Sequence, residues 1–102
     1  MKIDWNSLTF LEQMDHIASE VKRCCDTRNN YLENKSQEDY SDFYFHKVQD
    51  LIELTKKDEK NKNRKDELSD ELLELKLMLE GVYDTEYILR YWNQFTSANH
   101  YR

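Results

Sequence analysis

Histidines and carboxylates fall at helical spacing in two places. Glu12, His16 and Glu20 follow one another at steps of four, and His46 and Asp50 repeat that step. Side chains four apart share one face of a helix, so each set could offer several ligands to a metal ion. Metal sites in helical bundles, however, use inward-facing Glu-x-x-His pairs on neighbouring helices. Because this spacing differs, and because both sets lie off the apolar stripe, we interpret them as polar outer faces.

A second pattern contains acidic residues alone. Glu38-Asp39-x-x-Asp42 is followed further along the chain by Glu67-x-x-Asp70. Mg²⁺ prefers such hard oxygen ligands. The order of the motifs resembles the sites of all-α nucleoside triphosphate pyrophosphohydrolases of the MazG type, which implies Mg²⁺-dependent hydrolysis as an alternative function. Acids are also common at helix starts, where they cap the helix and suit its dipole. Our main interpretation therefore has no metal, no cofactor and no catalytic residue.

Other catalytic arrangements are missing from the sequence. Nine residues separate Arg90 from His100, a wider spacing than in the Arg–His motif of HEPN-type ribonucleases. The sequence contains no Ser–His–acid arrangement, no glycine-rich phosphate loop and no Cys-x-x-Cys pair. These observations favour a protein that is not an enzyme.

The charge of the chain limits its partners. A net charge of −6 disfavours binding to phosphate backbones, so we expect no nucleic-acid partner. The charge is uneven, since residues 56–65 carry six basic side chains against Asp58 and Glu59, a local charge of +4. We interpret this segment as a solvated, mobile loop, with a docking site for an acidic partner as the alternative.

The elements that position these residues are predicted to be helices. Leu68, Leu72, Leu75 and Leu79 recur at steps of four, three and four, which is one face of a helix. Gly81, the only glycine, follows that stripe and suits a left-handed helix end. Sheets with tight hairpins are disfavoured, because the chain has no proline and a single glycine. We predict an all-α, compact, mostly antiparallel four-helix bundle in one domain, residues 1–102, with helices at about 9–33, 37–57, 64–80 and 84–98.

The predicted core follows the apolar stripes of these helices. Thr9 and Glu12 have the spacing of a capping box, which fixes where the first stripe begins. The predicted core residues are Leu11, Met14, Ala18, Val21, Tyr44, Val48, Leu51, Leu68, Leu72, Leu75, Leu79, Ile88, Tyr91 and Phe95.

The second and fourth helices carry more aromatic residues than their stripes can bury. Tyr and Trp are favoured at protein interfaces because they offer a large contact area with few rotatable bonds. We therefore predict partner binding through Tyr40, Phe43, Tyr87 and Trp92, either to another protein or in a homodimer.

The cysteines and the hydropathy indicate a compartment. Cys24 and Cys25 are adjacent and have no third cysteine to pair with, which predicts reduced thiols in the cytoplasm, with one of the two inside the stripe. The sequence has no apolar run of membrane-spanning length and no signal peptide, so we expect no membrane partner.

Parts of the chain resemble a known family. Leu8-x-Phe10-x-Glu12-Gln13-Met14-x-x-Ile17-x-Ser19-Glu20-Val21-x-Arg23, then Leu51-Ile52-Glu53-Leu54-Thr55, Asn63-Arg64 and Tyr91-Trp92-x-x-Phe95 are similar to an uncharacterised family of short all-helical proteins of bacteria and archaea. The resemblance implies a free-standing helical protein and brings no activity with it. Our functional prediction is a non-catalytic protein–protein interaction module.

Overall fold

Four helices make up most of the chain. The structure is a computed structural model that describes the backbone of residues 4–100 and the side chains of residues 4–96. The helices are α1 (Phe10–Leu32), α2 (Ser41–Lys57), α3 (Lys65–Leu79) and α4 (Thr85–His100), with 3₁₀ segments at Trp5–Ser7 and Glu59–Arg64. No strand occurs among residues 4–100, so the all-α bundle is confirmed.

The helices alternate in direction along the chain. α1 packs against both α2 and α4, and α3 packs against the other side of both. The start of α1 meets the end of α4, where the rings of Phe10 and Phe95 lie 6.4 Å apart. Near the end of α1, the Asn29 amide donates to the Thr85 hydroxyl at 2.9 Å, at the start of α4. We call this end the upper end, residues 26–43 and 76–87, and the opposite end the lower end.

The first helix starts and stops where local chemistry requires. The Thr9 hydroxyl accepts from the Glu12 amide at 3.1 Å and the Glu12 carboxylate accepts from the Thr9 amide at 2.9 Å, so the predicted capping box is confirmed. α1 ends at a left-handed Asn34, with φ of 60°. The amides of Asn34 and Lys35 donate back to the carbonyls of Tyr31 and Asn30, which is a Schellman motif.

The third helix ends in the same motif, with glycine in the left-handed position. Gly81 has a φ of +87°. Its amide donates to the Met78 carbonyl at 3.0 Å, and the Val82 amide donates to the Leu77 carbonyl at 2.9 Å. The predicted break between α3 and α4 is confirmed, and the chain turns back at the upper end.

Replacing Gly81 by alanine should destabilise the protein by about 1–2 kcal/mol, because an L-residue is strained in the left-handed region. A Cβ at this position would meet no atom within 4 Å, so the cost comes from the backbone alone. Denaturant unfolding measures the difference. The matched control is Asn34→Gly, which relaxes the equivalent position in α1 and should leave stability unchanged or raised. A stabilised Gly81→Ala variant would contradict this account of the helix end.

The core lies between all four helices and differs in part from the predicted one. The side chain of Leu11 is 41 % exposed, so its placement in the core was wrong. Cys24 and Cys25 are both fully buried, whereas only one was expected inside the stripe. Both corrections have one cause. α1 contacts two helices, so its buried face is wide, and that face is centred on Met14, Ile17 and Val21 rather than on Leu11.

The remaining predicted core residues are buried or packed against the core. Tyr44, Leu51, Leu72, Leu79 and Tyr91 are half-buried and pack against it. The sequence prediction missed several fully buried residues. The buried hydrophobic residues are Met14, Ile17, Ala18, Val21, Cys24, Cys25, Val48, Ile52, Leu68, Leu75, Met78, Ile88, Trp92 and Phe95.

A buried polar cluster ties the lower end together. The Gln13 amide donates to the Trp5 carbonyl and to the Asp58 carboxylate, both at 2.9 Å. Its oxygen accepts from the Asn61 amide at 2.8 Å, and Asn61 also donates to the Thr55 carbonyl at 2.9 Å. The Trp5 indole donates to the Thr55 hydroxyl at 3.0 Å. Buried polar groups require partners, and here they join both 3₁₀ segments to α1 and α2.

The basic segment was predicted to be a solvated loop, and this cluster corrects the prediction of a loop. Residues 59–64 form a 3₁₀ segment in which Asn61 is buried, while the other five side chains are exposed as predicted. The Lys60 ammonium binds the Asp58 carboxylate and donates to the Asn6 carbonyl at 3.0 Å. Hydrogen bonds from Lys60 and then Gln13 lower the pKa of Asp58 below its ordinary value of 3.8.

The second helix begins later than predicted. The Ser41 amide donates to the Asp39 carboxylate at 2.9 Å, which starts α2 at Ser41 instead of Gln37. Residues 33–40 therefore form a link across the upper end. Within the described part of the chain, each helix is too short or too polar to cross a bilayer.

Candidate functional site

The two acidic motifs lie toward opposite ends of the bundle. Asp39 pairs with Arg28 at 2.6 Å, and Asp42 lies exposed in the first turn of α2, so Glu38-Asp39-x-x-Asp42 belongs to the upper end. Glu67 and Asp70 lie in the first turns of α3, which starts at the lower end. The structure does not bring these motifs together. Across residues 4–96, no three His, Cys, Asp or Glu side chains are grouped so that they could hold a metal ion.

The histidine-containing sets lie on partly exposed surfaces. Glu12 is engaged in the α1 cap, and the His16 ring lies 5.7 Å from the Trp5 ring. His46 contacts Asp42 in its own helix at 3.6 Å. Glu20 and Asp50 do share a shallow cleft of about 330 Å³ with Lys47, whose ammonium supplies the opposite charge. The side chain of His100 lies outside the described residues, while Arg90 is exposed.

Of the four aromatic residues predicted to bind a partner, three are exposed and one is buried. Tyr40 is 52 % exposed, Phe43 56 % and Tyr87 41 %. Trp92 is 1 % exposed, so its assignment to a binding surface is corrected. Its ring packs against Tyr91 and Phe95 at centroid distances of 5.2 and 5.8 Å. Trp92 faces inward because the stripe of α4 continues from Ile88 by a step of four.

Exposed apolar side chains concentrate at the upper end. Among residues 4–96, nine large apolar side chains are exposed, and six of them lie there: Tyr31, Leu32, Tyr40, Phe43, Val82 and Tyr87. Isolated exposed hydrophobic residues are ordinary, but a concentration of them is typical of an interaction surface. The other three, Leu11, Leu54 and Leu73, are spread over the rest of the bundle.

Two hollows open between these apolar side chains. The larger, of about 450 Å³, lies between the end of α1 and the α3–α4 turn, with Leu32 on one side and Met78, Val82 and Tyr83 on the other. The second, of about 420 Å³, is bounded by Tyr31 and Leu32 and by the link that follows α1. We call the larger one the apical cleft. Leu32 is 60 % exposed and forms the wall between the two hollows.

Polar contacts hold the apical cleft in shape. The Arg28 guanidinium donates to the Asp39 carboxylate at 2.6 Å and to the Leu79 carbonyl at 3.1 Å, which connects α1 to the link and to the end of α3. Asn29 and Thr85 exchange hydrogen bonds at 2.9 and 3.1 Å, which fixes the start of α4. These side-chain contacts fix the end of α1, the link, the end of α3 and the start of α4 relative to one another, so they hold the walls of the cleft in place.

The upper end is strongly acidic. Residues 26–43 and 76–87 contain eight Asp and Glu against three Lys and Arg, a net charge of −5. The rest of the chain has a net charge of only −1, because the +4 of residues 56–65 offsets a charge of −5 on the remaining residues.

The apical cleft continues sideways along α3 and α4. The rings of Tyr83 and Tyr87 stack at 4.3 Å, and the Tyr87 hydroxyl donates to Glu74 at 2.6 Å. Beyond them lies a pocket of about 270 Å³ lined by Glu71, Glu74, Tyr87, Arg90 and Tyr91, which we call the lateral pocket.

The carboxylates of the lateral pocket repel one another. Burial, and then the charge and hydrogen bonding of Glu74, raise the pKa of Glu71 to about 8. The hydrogen bond to Glu74 raises the pKa of Tyr87 to about 12, and burial followed by the bond to Glu67 raises that of Tyr91. A further positive charge in the pocket would therefore stabilise these carboxylates in their ionised form.

The cysteines are unsuited to nucleophilic chemistry. Both are fully buried, and burial raises the pKa of Cys24 and of Cys25 to about 12. The Cys24 thiol donates to the Ser41 carbonyl at 3.3 Å, so it has a packing role at the start of α2.

Comparison with protein-family models, with curated proteins and with solved structures gives no match. The site is therefore defined by its own geometry. The sequence prediction included Tyr40, Phe43 and Tyr87 but missed Leu32 and Val82, although each stands beside a helix-ending residue where an apolar side chain is easily exposed. That position was the signal that could have found them.

Proposed function

We propose that this protein is a non-catalytic interaction module that binds a partner protein through the upper end of its bundle. The observation that carries the proposal is the concentration of exposed apolar side chains around the apical cleft. Protein interfaces commonly combine an apolar centre, which loses its water on binding, with a polar rim. Leu32 and Val82 supply the centre, and polar side chains that line the same cleft, such as Asp84 and Thr85, supply the rim.

A different protein fits this surface better than a second copy of the same chain. A symmetric dimer through the upper ends would bring together two surfaces that each carry a charge of −5. Like charges facing each other across an interface oppose association. The two free, buried thiols support the cytoplasm as the place of action, since structural disulfides mark oxidising compartments.

Site-specific photo-crosslinking in the cells that make the protein tests this function. A photoreactive phenylalanine analogue is placed at Phe43 or Val82, and in matched controls at Leu54 or Leu73, which are exposed to a similar degree outside the upper end. We expect a discrete adduct from Phe43 and Val82 and none from the controls, identified by mass spectrometry. An adduct of twice the chain's 12.5 kDa would identify a homodimer instead. Equal crosslinking at all four positions, or none at Phe43 and Val82, would reject the proposed site.

A further inference from the structure

The apical cleft at the upper end and the lateral pocket beside it are linked by a pair of stacked tyrosines. The apical cleft is apolar at Leu32 and Val82, and the stacked Tyr83 and Tyr87 rings carry its surface to the acidic lateral pocket. A partner that covers only the apolar part would leave these carboxylates beside a desolvated interface, which is unfavourable. A partner that carries Lys or Arg beside its apolar side chains can cover the apolar part of the cleft and also pair with these carboxylates.

Resting on the function proposed above, we infer that the partner is a basic amphipathic protein segment. An apolar side chain of that segment enters the apical cleft, and a Lys or Arg side chain lies in the lateral pocket against Tyr87 and Glu74. The net charge of −5 on residues 26–43 and 76–87, the upper end as a whole, attracts such a segment and repels an acidic one.

The lateral pocket has the chemistry that binds a cationic side chain. Glu71 and Glu74 line it from α3 with carboxylates, and Tyr87 and Tyr91 line it from α4 with aromatic rings. Cations bind favourably to aromatic faces, and a guanidinium can also donate two parallel hydrogen bonds to a carboxylate. Arg90 lines the same pocket and competes with an incoming cation.

The chain's own basic segment does not meet the requirement. Residues 56–65 carry a charge of +4 but contain no apolar side chain to enter the cleft. That segment is also fixed at the lower end by Asn61 and Lys60. The occupant is therefore a segment of another protein.

The affinity should depend on pH through the lateral pocket. Glu71 is faced by Glu67, Asp70 and Glu74 on α3 and by Tyr87, Arg90 and Tyr91 on α4, and its pKa is raised to about 8. A bound cation favours the ionised carboxylate, so binding releases a proton below this pKa. Affinity for an Arg-containing ligand should consequently rise as the pH increases from about 6.5 to about 9.

Selection of random peptides displayed on phage against the intact protein tests the inference. We expect the enriched peptides to carry Lys or Arg beside large apolar residues. Synthetic versions are then measured by fluorescence anisotropy against Glu74→Gln, Arg90→Gln and the control Glu59→Gln, which removes the same charge at the lower end. Glu74→Gln should weaken binding about two- to fivefold, Arg90→Gln should strengthen it by a similar factor, and Glu59→Gln should change it less than about twofold.

Three results would overturn the inference. The first is that the enriched peptides are acidic or uncharged. The second is that Glu59→Gln weakens their binding as much as Glu74→Gln does. The third is that no enriched peptide loses affinity for a Val82→Asp variant, which places a charge in the apical cleft. If the photo-crosslinks still concentrate at Phe43 and Val82, the proposed function stands and only the class of partner is wrong. If those crosslinks are missing as well, both proposals fail.

Discussion

Trp92→Ala should lower the free energy of unfolding by about 3–5 kcal/mol, because it empties the space of a large buried side chain. Trp92 is 1 % exposed and lies in the core with Phe95 and Ile88. Phe43→Ala, by contrast, should cost less than about 1 kcal/mol, since Phe43 is 56 % exposed and its ring contacts the Lys47 ammonium at 4.8 Å. Urea unfolding of both variants measures the contrast.

A third variant separates loss of volume from loss of polarity at Trp92. The indole nitrogen is buried and has no hydrogen-bond partner among the described residues. Trp92→Phe keeps a ring in place and removes this unpaired donor, so it should cost much less than Trp92→Ala. If Trp92→Ala and Phe43→Ala had equal effects, Trp92 would belong to the surface, as the sequence alone suggested.

The orientation of α4 shows how far the sequence pattern reaches. A helix turns by about 100° per residue, so adjacent aromatics such as Tyr91 and Trp92 cannot both point to the centre. The pattern predicted correctly that α4 is an amphipathic helix with Ile88 and Phe95 inside. It could not choose between Tyr91 and Trp92, because that choice depends on how α4 rotates against α1 and α3. Tyr91 lies at the edge of the core, where its hydroxyl donates to the Glu67 carboxylate at 2.8 Å.

Helix ends were more predictable than the surface they create. Local chemistry determines the cap at Thr9 and the left-handed Gly81, so the sequence was sufficient for both. The apical cleft instead requires Leu32 and Val82, which are fifty positions apart in sequence, to line the same cleft at the end of the bundle. The local sequence does not specify this arrangement. It follows from the antiparallel packing of α1 and α4 and from the hydrogen bond between Asn29 and Thr85.

The mistaken prediction for the basic segment has a similar cause. Residues 56–65 are all polar, and a polar run usually indicates a solvated loop. Here Asn61 is buried because its amide donates to the nearby Thr55 carbonyl and to Gln13, which is 48 positions away in sequence. A buried polar cluster formed by distant residues gives no periodic signal.

The second large effect is expected from that cluster. Gln13→Ala removes the amide that bonds Asp58 and Asn61 at once, and a hydrogen bond contributes about 0.5–1.5 kcal/mol, or about 1.5–3 kcal/mol where one partner is charged, as at Asp58. We expect a loss of about 3 kcal/mol in urea unfolding. The matched control is Gln94→Ala, which removes an exposed amide bonded only within α4 and should change stability by less than about 0.5 kcal/mol.

A double-mutant cycle with Asn61→Ala tests whether the cluster acts as a unit. Gln13 and Asn61 are in direct contact at 2.8 Å, so the double variant should lose less stability than the two single losses together. Strict additivity would mean that the two amides act independently, which would contradict a shared cluster.

The pH dependence gives a third, independent check on Gln13. The folded pKa of Asp58 lies below its ordinary value of 3.8, so its stabilising contribution is complete above about pH 5 and is lost as the pH falls through the folded pKa. Gln13→Ala removes one of the two side-chain donors that lower this pKa, whereas Lys60 remains. The variant should therefore lose less stability than the wild type when the pH falls from about 5 to about 2. An unchanged acid dependence would show that the Gln13 amide does not bind the ionised Asp58 in solution.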